Sequence, residues 1–458
     1  MTVVLTGNTL TIDDVVAVAR GGASVELAAH VDERVRRGRA VVEAALAGEP
    51  VYGLTTGVGV RKRTIVQAHE LGEFNRRLIL EHRVGQGEPA PDDVVRAQLL
   101  LVANGFARGT AGVRMELLEH IVAQLNGGTV PLVRMLGSVG MADLPANADL
   151  AYGVLGEFQL APKEALALLG SNSFSTALAA LALVDALRLG RALDVAAALD
   201  LEALGGNISP LYDDAELADM LDGSYLWQPG AARSLQDPLS FRCIPQVRRA
   251  SADAFAFTRR RVDHELNASE MNPLVLLDEE RVISVGSFDA LPLAQALDVA
   301  RLGLAPPLTS ASERTVKLLQ APVTGLPEGL AVESGLAESA LSEFGVPAQA
   351  LAVEAKLLAQ PVSIETASTS HHEGIEDRVT LAPLAARRLA QMVELGERLV
   401  AIELVVAAQA VDLRGRPRLG VATQQMYDAV RERVPMTQKG EPPPQDLEPV
   451  RALIRDGV

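Results

Sequence analysis

The chain has 458 residues, of which 48% are hydrophobic but only 3% aromatic, and a formal net charge of −16. Alanine, leucine and valine must then build the interior, which favours closely packed helices over a β-sandwich, and the charge argues against nucleic acid or an anionic membrane as a main partner. The single cysteine, Cys243, excludes an internal disulfide and fits a reducing compartment. Met1 to Leu10 lacks the basic and apolar segments of a signal peptide, so a soluble, cytoplasmic protein is expected.

In chain order the sequence reads as a succession of helices. Thr11-Ile12-Asp13-Asp14 offers a hydroxyl cap and two acids to a helix start. Val25 to Gly48 reads as a second helix. A glycine-punctuated loop follows, Tyr52-Gly53-Leu54-Thr55-Thr56-Gly57-Val58-Gly59-Val60, in which Tyr52 is the only side chain with acid/base chemistry. No Gly-Lys-Ser/Thr follows it, so a phosphate-binding loop is a poor reading. Helices are expected over Ala68 to Val84, with His82 near its end, over Asp92 to Ala107, and from Gly112 to a stop at Asn126-Gly127-Gly128.

The next loop, Gly137-Ser138-Val139-Gly140-Met141-Ala142-Asp143-Leu144, carries glycines where a backbone can turn sharply. Pro162-Lys163-Glu164 restarts helix with proline in the first turn. Phe174 to Leu204 is apolar enough to tempt a membrane assignment, but Asp185, Arg188, Arg191 and Asp194 interrupt it, so it reads as a central core helix. Ser240 to Asn267 is a further helix with a possible kink at Pro245. Pro273 to Ser284 fits a small hairpin turning at Asp278-Glu279-Glu280. Helix resumes over Ala290 to Leu318 and Leu381 to Val411, with an irregular, glycine-richer stretch over Gly325 to Pro347. Pro442-Pro443-Pro444 precedes a terminal helix from Gln445 to Arg455.

These segments together resemble the histidine/aromatic amino acid ammonia-lyase family. The Tyr52–Gly59 loop resembles the family's Tyr-Gly-Val-Asn-Thr-Gly-Phe-Gly, and Glu81-His82-Arg83-Val84-Gly85 resembles its Ser-His-X-X-Gly. Asn104-Gly105, Gly112-Val113-Arg114, Gly137-Ser138-Val139-Gly140 and Pro162-Lys163-Glu164-Ala165-Leu166-Ala167-Leu168 follow in order. Gln236-Asp237 through Arg242-Cys243-Ile244-Pro245-Gln246-Val247, Glu265-Leu266-Asn267 with Asn272-Pro273-Leu274, and Glu376-Asp377-Arg378-Val379 complete a collinear series. The resemblance implies a mainly α fold, a long central helix bundle of the ammonia-lyase/fumarase-like type with a small β-hairpin. It implies one ammonia-lyase-like unit over 1–458: an N-terminal part (1–205) carrying both loops, a long-helix core (206–435) and a C-terminal linker and short helix (436–458). It further implies a homotetramer whose active sites are shared between subunits, and an electrophile, methylidene-imidazolone, formed from an internal Ala-Ser-Gly.

The chain departs from that pattern where the electrophile is built. Aligned without a gap, the serine position holds Ala142 and the glycine position Asp143; with a gap at the glycine, the Ser-Gly pair is still missing. Neither alignment leaves a serine to dehydrate or a glycine to cyclise, so the prosthetic group is expected to be absent. Gly170 replaces the family's asparagine, with Asn172 two residues on. Leu239 replaces a tyrosine, Ser287-Phe288-Asp289 replaces Asn-Phe-His, and Ile375-Glu376-Asp377 replaces Gln-Glu-Asp. What survives is the acid/base and carboxylate-binding side: Tyr52, His82, Arg242 and Glu376.

By that resemblance Tyr52 transfers a proton, Arg242 clamps a substrate carboxylate and lowers the phenol's pKa, His82 orients the tyrosine or relays its proton, and Glu376 meets an ammonium or serves as a second base. Met141, Ala142, Asp143, Asn172, Leu239, Ser287, Phe288 and Asp289 shape the pocket, Met141 as an apolar wall and Asp143 as a charge or helix cap. Plainer readings stand beside these: Tyr52 as a packed loop residue, His82 as a helix-end hydrogen bonder, Arg242 and Glu376 as an ion pair. His371-His372 alone makes no metal site, and none is assigned. Three functions remain open. The first is an electrophile-free enzyme performing elimination, conjugate addition, isomerisation or cyclisation of a small molecule in specialised metabolism. The second is a catalytically silent homologue that binds a ligand or subunit, and the third an ammonia-lyase with an unorthodox electrophile.

Overall fold

The computed structural model describes residues 1–335, 337–364 and 374–457. The mainly α architecture expected from composition is present, with three two-stranded sheets among the described residues. By internal contacts the chain divides into two compact units. The first comprises Met1–Ala182, Thr258–Asp298 and Pro361–Arg387; the second comprises Leu183–Phe257, Val299–Gln360 and Arg388–Val458.

In the first unit, the start signal at Thr11 becomes a capping box for the helix Ile12–Ala19. Thr11 Oγ1 accepts from the Asp14 amide at 3.1 Å, and Asp14 accepts from the Thr11 amide at 3.0 Å. The expected helix from Val25 is corrected. Ser24–Leu27 is a strand paired in parallel with Thr2–Leu5, and helix begins only at His30–Ala45. The reason is a two-residue period: Val3, Leu5 and Val25 are buried while Val4 and Glu26 face out. The helices Leu71–His82, Asp92–Ala107 and Met115–Asn126 follow as expected. An unanticipated antiparallel pair joins Gln86–Pro89 to Arg134–Leu136.

Lys163 takes a left-handed φ of 78°, so helix restarts at Glu164 and Pro162 stands outside its first turn. The buried Glu164 carboxylate accepts from the Arg114 amide (2.8 Å), the Arg114 guanidinium and the Ala161 amide (2.7 Å), which fixes that entry. The hairpin is as expected: Leu274–Leu276 pairs with Arg281–Ile283.

The helix Ser173–Leu204 is the long core helix anticipated from its alanine-rich stretch. It is long and apolar enough to cross a membrane, yet 94% of its most apolar window is buried within the protein. Its charges have partners at the margins, Asp185 with Arg188 at 3.3 Å and Asp194 with Arg248 at 2.9 Å.

In the second unit, parts of three long helices meet: Ser173–Leu204, Leu291–Leu318 and Ala382–Leu413. A Cβ at Gly396 would come within 2.5 Å of a Leu189 methyl and 2.9 Å of a Leu308 methyl, so glycine permits their close approach there. Pro245 does not kink a helix. A short turn, Leu239–Arg242, ends at Cys243, and Pro245 is the second residue of a new helix, Ile244–Glu265, where a missing N–H costs nothing. Val421–Arg433 is a helix whose pattern the sequence reading passed over, and the terminal helix spans Glu448–Asp456.

Candidate active site

The first unit contains a cavity of about 350 Å³. Tyr52, Met141, Ala142, Phe288 and Glu376 line it, so five of the expected residues converge.

Tyr52 is held by its own loop. Its hydroxyl accepts from the Gly59 amide at 2.8 Å, and Gly53 turns the chain at a φ of 66° where a Cβ would strike Leu166. Burial raises the phenol's pKa, the Gly59 amide opposes this, and the Glu376 carboxylate raises it further. Tyr52 is therefore protonated at neutral pH and equipped to donate a proton. The expected lowering by a cation is not what its surroundings produce.

The 137–143 loop is fastened from several sides. The Val139 carbonyl accepts from the Thr380 and Leu381 amides at 3.1 and 2.9 Å, and the Gly140 carbonyl from the Thr380 hydroxyl at 2.8 Å. Gly140 has a φ of 75°, and a Cβ there would lie 2.1 Å from Thr380 Oγ1. Ala142 itself adopts a φ of 55°, a left-handed conformation that costs a non-glycine residue about 1 kcal/mol. Ala142 lines the cavity and brings no side-chain hydroxyl to it.

Asp143 lines no part of the cavity. Its side chain is wholly buried and caps the helix Ser173–Leu204 from outside: Oδ2 accepts from the Ser175 amide at 2.7 Å and Oδ1 from the Ser175 hydroxyl at 2.8 Å. Burial pushes its pKa up to about 6 against these hydrogen bonds. Asn172 is likewise a support. Its Oδ1 accepts from the Ala142 amide (3.1 Å), its Nδ2 donates to the Phe288 carbonyl (2.9 Å), and its amide donates to Glu270 (2.7 Å). Asn172 is 1% exposed, so it shapes the pocket through backbone it holds and not by touching a ligand.

The other expected residues are placed as follows. His82 ends its helix with Nδ1 2.7 Å from the Leu78 carbonyl, the helix-end role. Ser287 is exposed, and Asp289 accepts from Arg378 at 2.9 Å. Arg242 and Leu239 lie in the second unit, where Arg242 donates to Gln236 at 2.7 Å and Leu239 is 61% exposed. His371-His372 falls outside the described residues. Two cations lining the cavity, Lys62 and Arg378, had been given no role. The Lys62 amide donates to the Gly59 carbonyl at 3.2 Å, while its side chain has no hydrogen-bond or ion-pair partner among the described residues. Its only sequence signal was the basic run Arg61-Lys62-Arg63 just past the glycine loop.

The cavity thus offers a phenol proton donor, a carboxylate, and an ammonium, beside an apolar wall of Met141, Ala142, Leu144 and Leu166. That combination suits a small, partly apolar molecule with polar or charged ends.

Comparison with known proteins agrees. The aromatic amino acid lyase family model matches residues 10–432. Histidine ammonia-lyase from Anaeromyxobacter sp. (strain K) is 36% identical, covering 100% of this chain and 99% of the relative. Histidine ammonia-lyase from Gloeobacter violaceus is 35% identical, covering 99% and 96%. Among solved structures, the ergothioneine-degrading enzyme ergothionase from Treponema denticola superposes with a TM-score of 0.93 at 28% identity, covering 100% of this chain and 99% of that one. Histidine ammonia-lyase from Trypanosoma cruzi gives 0.89 at 30% identity, covering 100% and 94%. The chain belongs to the aromatic amino acid lyase family, that of the histidine and aromatic ammonia-lyases.

Proposed function

We propose that this chain is an enzyme that works on the ammonia-lyase scaffold without the methylidene-imidazolone electrophile. The residues standing at the precursor positions do not fit that group. Ala142 has no β-hydroxyl to lose, the Asp143 amide that would close the ring donates to the Ser171 carbonyl at 2.8 Å, and the Asp143 side chain is committed to its helix cap.

The reading rests on one observation above others: the Tyr52 hydroxyl, fixed by the Gly59 amide, lines the same cavity as the Glu376 carboxylate. A protonated phenol beside a carboxylate forms an acid/base pair. Tyr52 delivers a proton to a developing anion while Glu376 accepts one, the requirement of an elimination, conjugate addition, isomerisation or cyclisation. Lys62 supplies positive charge to an anionic substrate group. Without the electrophile an α-amino group is a poor leaving group, so simple deamination of histidine or phenylalanine is not the expected reaction.

Tyr52→Phe tests this. With the fold intact by circular dichroism, turnover found in a substrate screen should fall by about 10²–10⁴-fold. Turnover unchanged by the substitution would overturn the role of Tyr52, and tight ligand binding with no product would favour a silent binding protein. A near-ultraviolet band abolished by borohydride would instead reveal an electrophile.

We also propose a homotetramer whose sites are shared between subunits. This rests on the family resemblance together with the exposure of Leu239 beside Arg242. Co-refolding inactive Tyr52→Phe with inactive Arg242→Ala should restore activity, because some sites then receive both intact residues. No restoration would sink the shared site.

A further inference from the structure

Beside Asn172 the first unit contains a second, much smaller cavity of about 20 Å³, lined by Ser171 and Ser173 on either side of that residue. Its polar lining includes Ser171, Thr176, Glu265 and Glu270, each at most 9% exposed. The hydroxyls of Ser171 and Thr176 have no hydrogen-bond partner. Two buried, unpartnered hydroxyls on one largely apolar cavity are an unusual expense, since each costs about 1–3 kcal/mol if left unmade. A cavity of roughly 10–15 Å³ or more holds one water when several polar groups face it.

We propose that this cavity is a binding site for a single water, which accepts from the Ser171 and Thr176 hydroxyls and donates to Glu265 and Glu270. Water matches the inventory because it has two lone pairs for the two hydroxyl protons and two protons for the two carboxyl groups. A monovalent cation would have only acceptors to use and would leave both hydroxyl protons unpaired. The bound water is also the far end of a hydrogen-bonded chain. Glu270 accepts from the Asn172 amide at 2.7 Å, and Asn172 in turn holds the Ala142 amide at 3.1 Å and the Phe288 carbonyl at 2.9 Å. Ala142 and Phe288 both line the 350 Å³ cavity. The water is therefore a positioning element for the pocket wall, whatever reaction the pocket carries out.

Burial and the nearby Glu265 charge raise the Glu270 pKa well above its ordinary value, and the hydrogen bonds from Asn172 oppose that rise.

A crystal structure of the full-length protein at high resolution tests the site. One water peak within hydrogen-bond distance of Ser171 Oγ and Thr176 Oγ1 is expected. A dry cavity, or a rubidium or thallium anomalous peak after soaking, would overturn the proposal. The link to the pocket wall is read by hydrogen exchange at the Ala142 amide. Ser171→Ala/Thr176→Val should speed that exchange by about tenfold, while Thr176→Ser, which keeps a hydroxyl, should change it less than about twofold. Equal exchange in both variants would break the link.

Discussion

Each unit buries a cluster of carboxylates, and the two clusters are built on opposite principles. In the second unit Asp200 and Glu403 close on Arg314, which donates at 2.7 Å to each from a nearly sealed position. Burial and the charge of Glu403 raise the Asp200 pKa well above its ordinary range, while the Arg314 guanidinium opposes that rise. In the first unit Asp143 and Glu270 are equally buried but are met by neutral donors: the Ser175 amide and hydroxyl, and the Asn172 amide and side chain. A cation closes the first cluster on itself and makes it a rivet between helices. Amide donors leave the second cluster responsive to ionisation, and it is the second that supports the pocket wall.

The largest expected effect comes from removing the cation. Arg314→Met strands two buried acids and should cost about 3–5 kcal/mol in urea unfolding. A loss under about 1 kcal/mol would show that Arg314 is not the rivet.

Next is pH. The Asp143 carboxyl has an ordinary pKa of 3.8, pushed up to about 6 in the folded protein by burial. The folded state therefore holds that proton more tightly than the unfolded chain. Asp143's contribution is present below pH 4, is lost as pH rises from about 4 to about 6, and is flat above, a change on the order of 3 kcal/mol. Asp143→Asn should remove that part of the slope in stability against pH. An unchanged slope would mean that the ionisation belongs elsewhere.

The smallest effect isolates the cap. At pH 4.5, where the carboxyl is protonated, Asp143→Ala should cost about 1–2 kcal/mol and Asp143→Asn about 0.5 kcal/mol or less, because asparagine keeps an acceptor for the Ser175 amide. Equal losses would separate the helix cap from the hydrogen bonds seen at Ser175.

Much of this molecule was legible along the chain. Long apolar patterns located the helices 92–107, 115–126, 173–204 and 382–413 to within a few residues, because burial along one helix repeats locally. Four-residue strands such as Ser24–Leu27 were not, since their partner lies at the other end of a helix and a loop. The five residues that converge on the cavity were found through motif resemblance. Lys62 was missed because a short basic run such as Arg61-Lys62-Arg63 carries no periodic signal and reads as a solvated loop.

The sequence by itself determined that residue 142 is an alanine with no side-chain hydroxyl and residue 143 an aspartate, because side-chain identity is set before the chain folds. Only the tertiary structure decided what those residues do instead. Asp143 caps a helix 32 residues further along, and Asn172 meets a glutamate 98 residues away. Such hydrogen bonds depend on which amides the packed helices leave unsatisfied, and that is fixed only when the chain has closed around them.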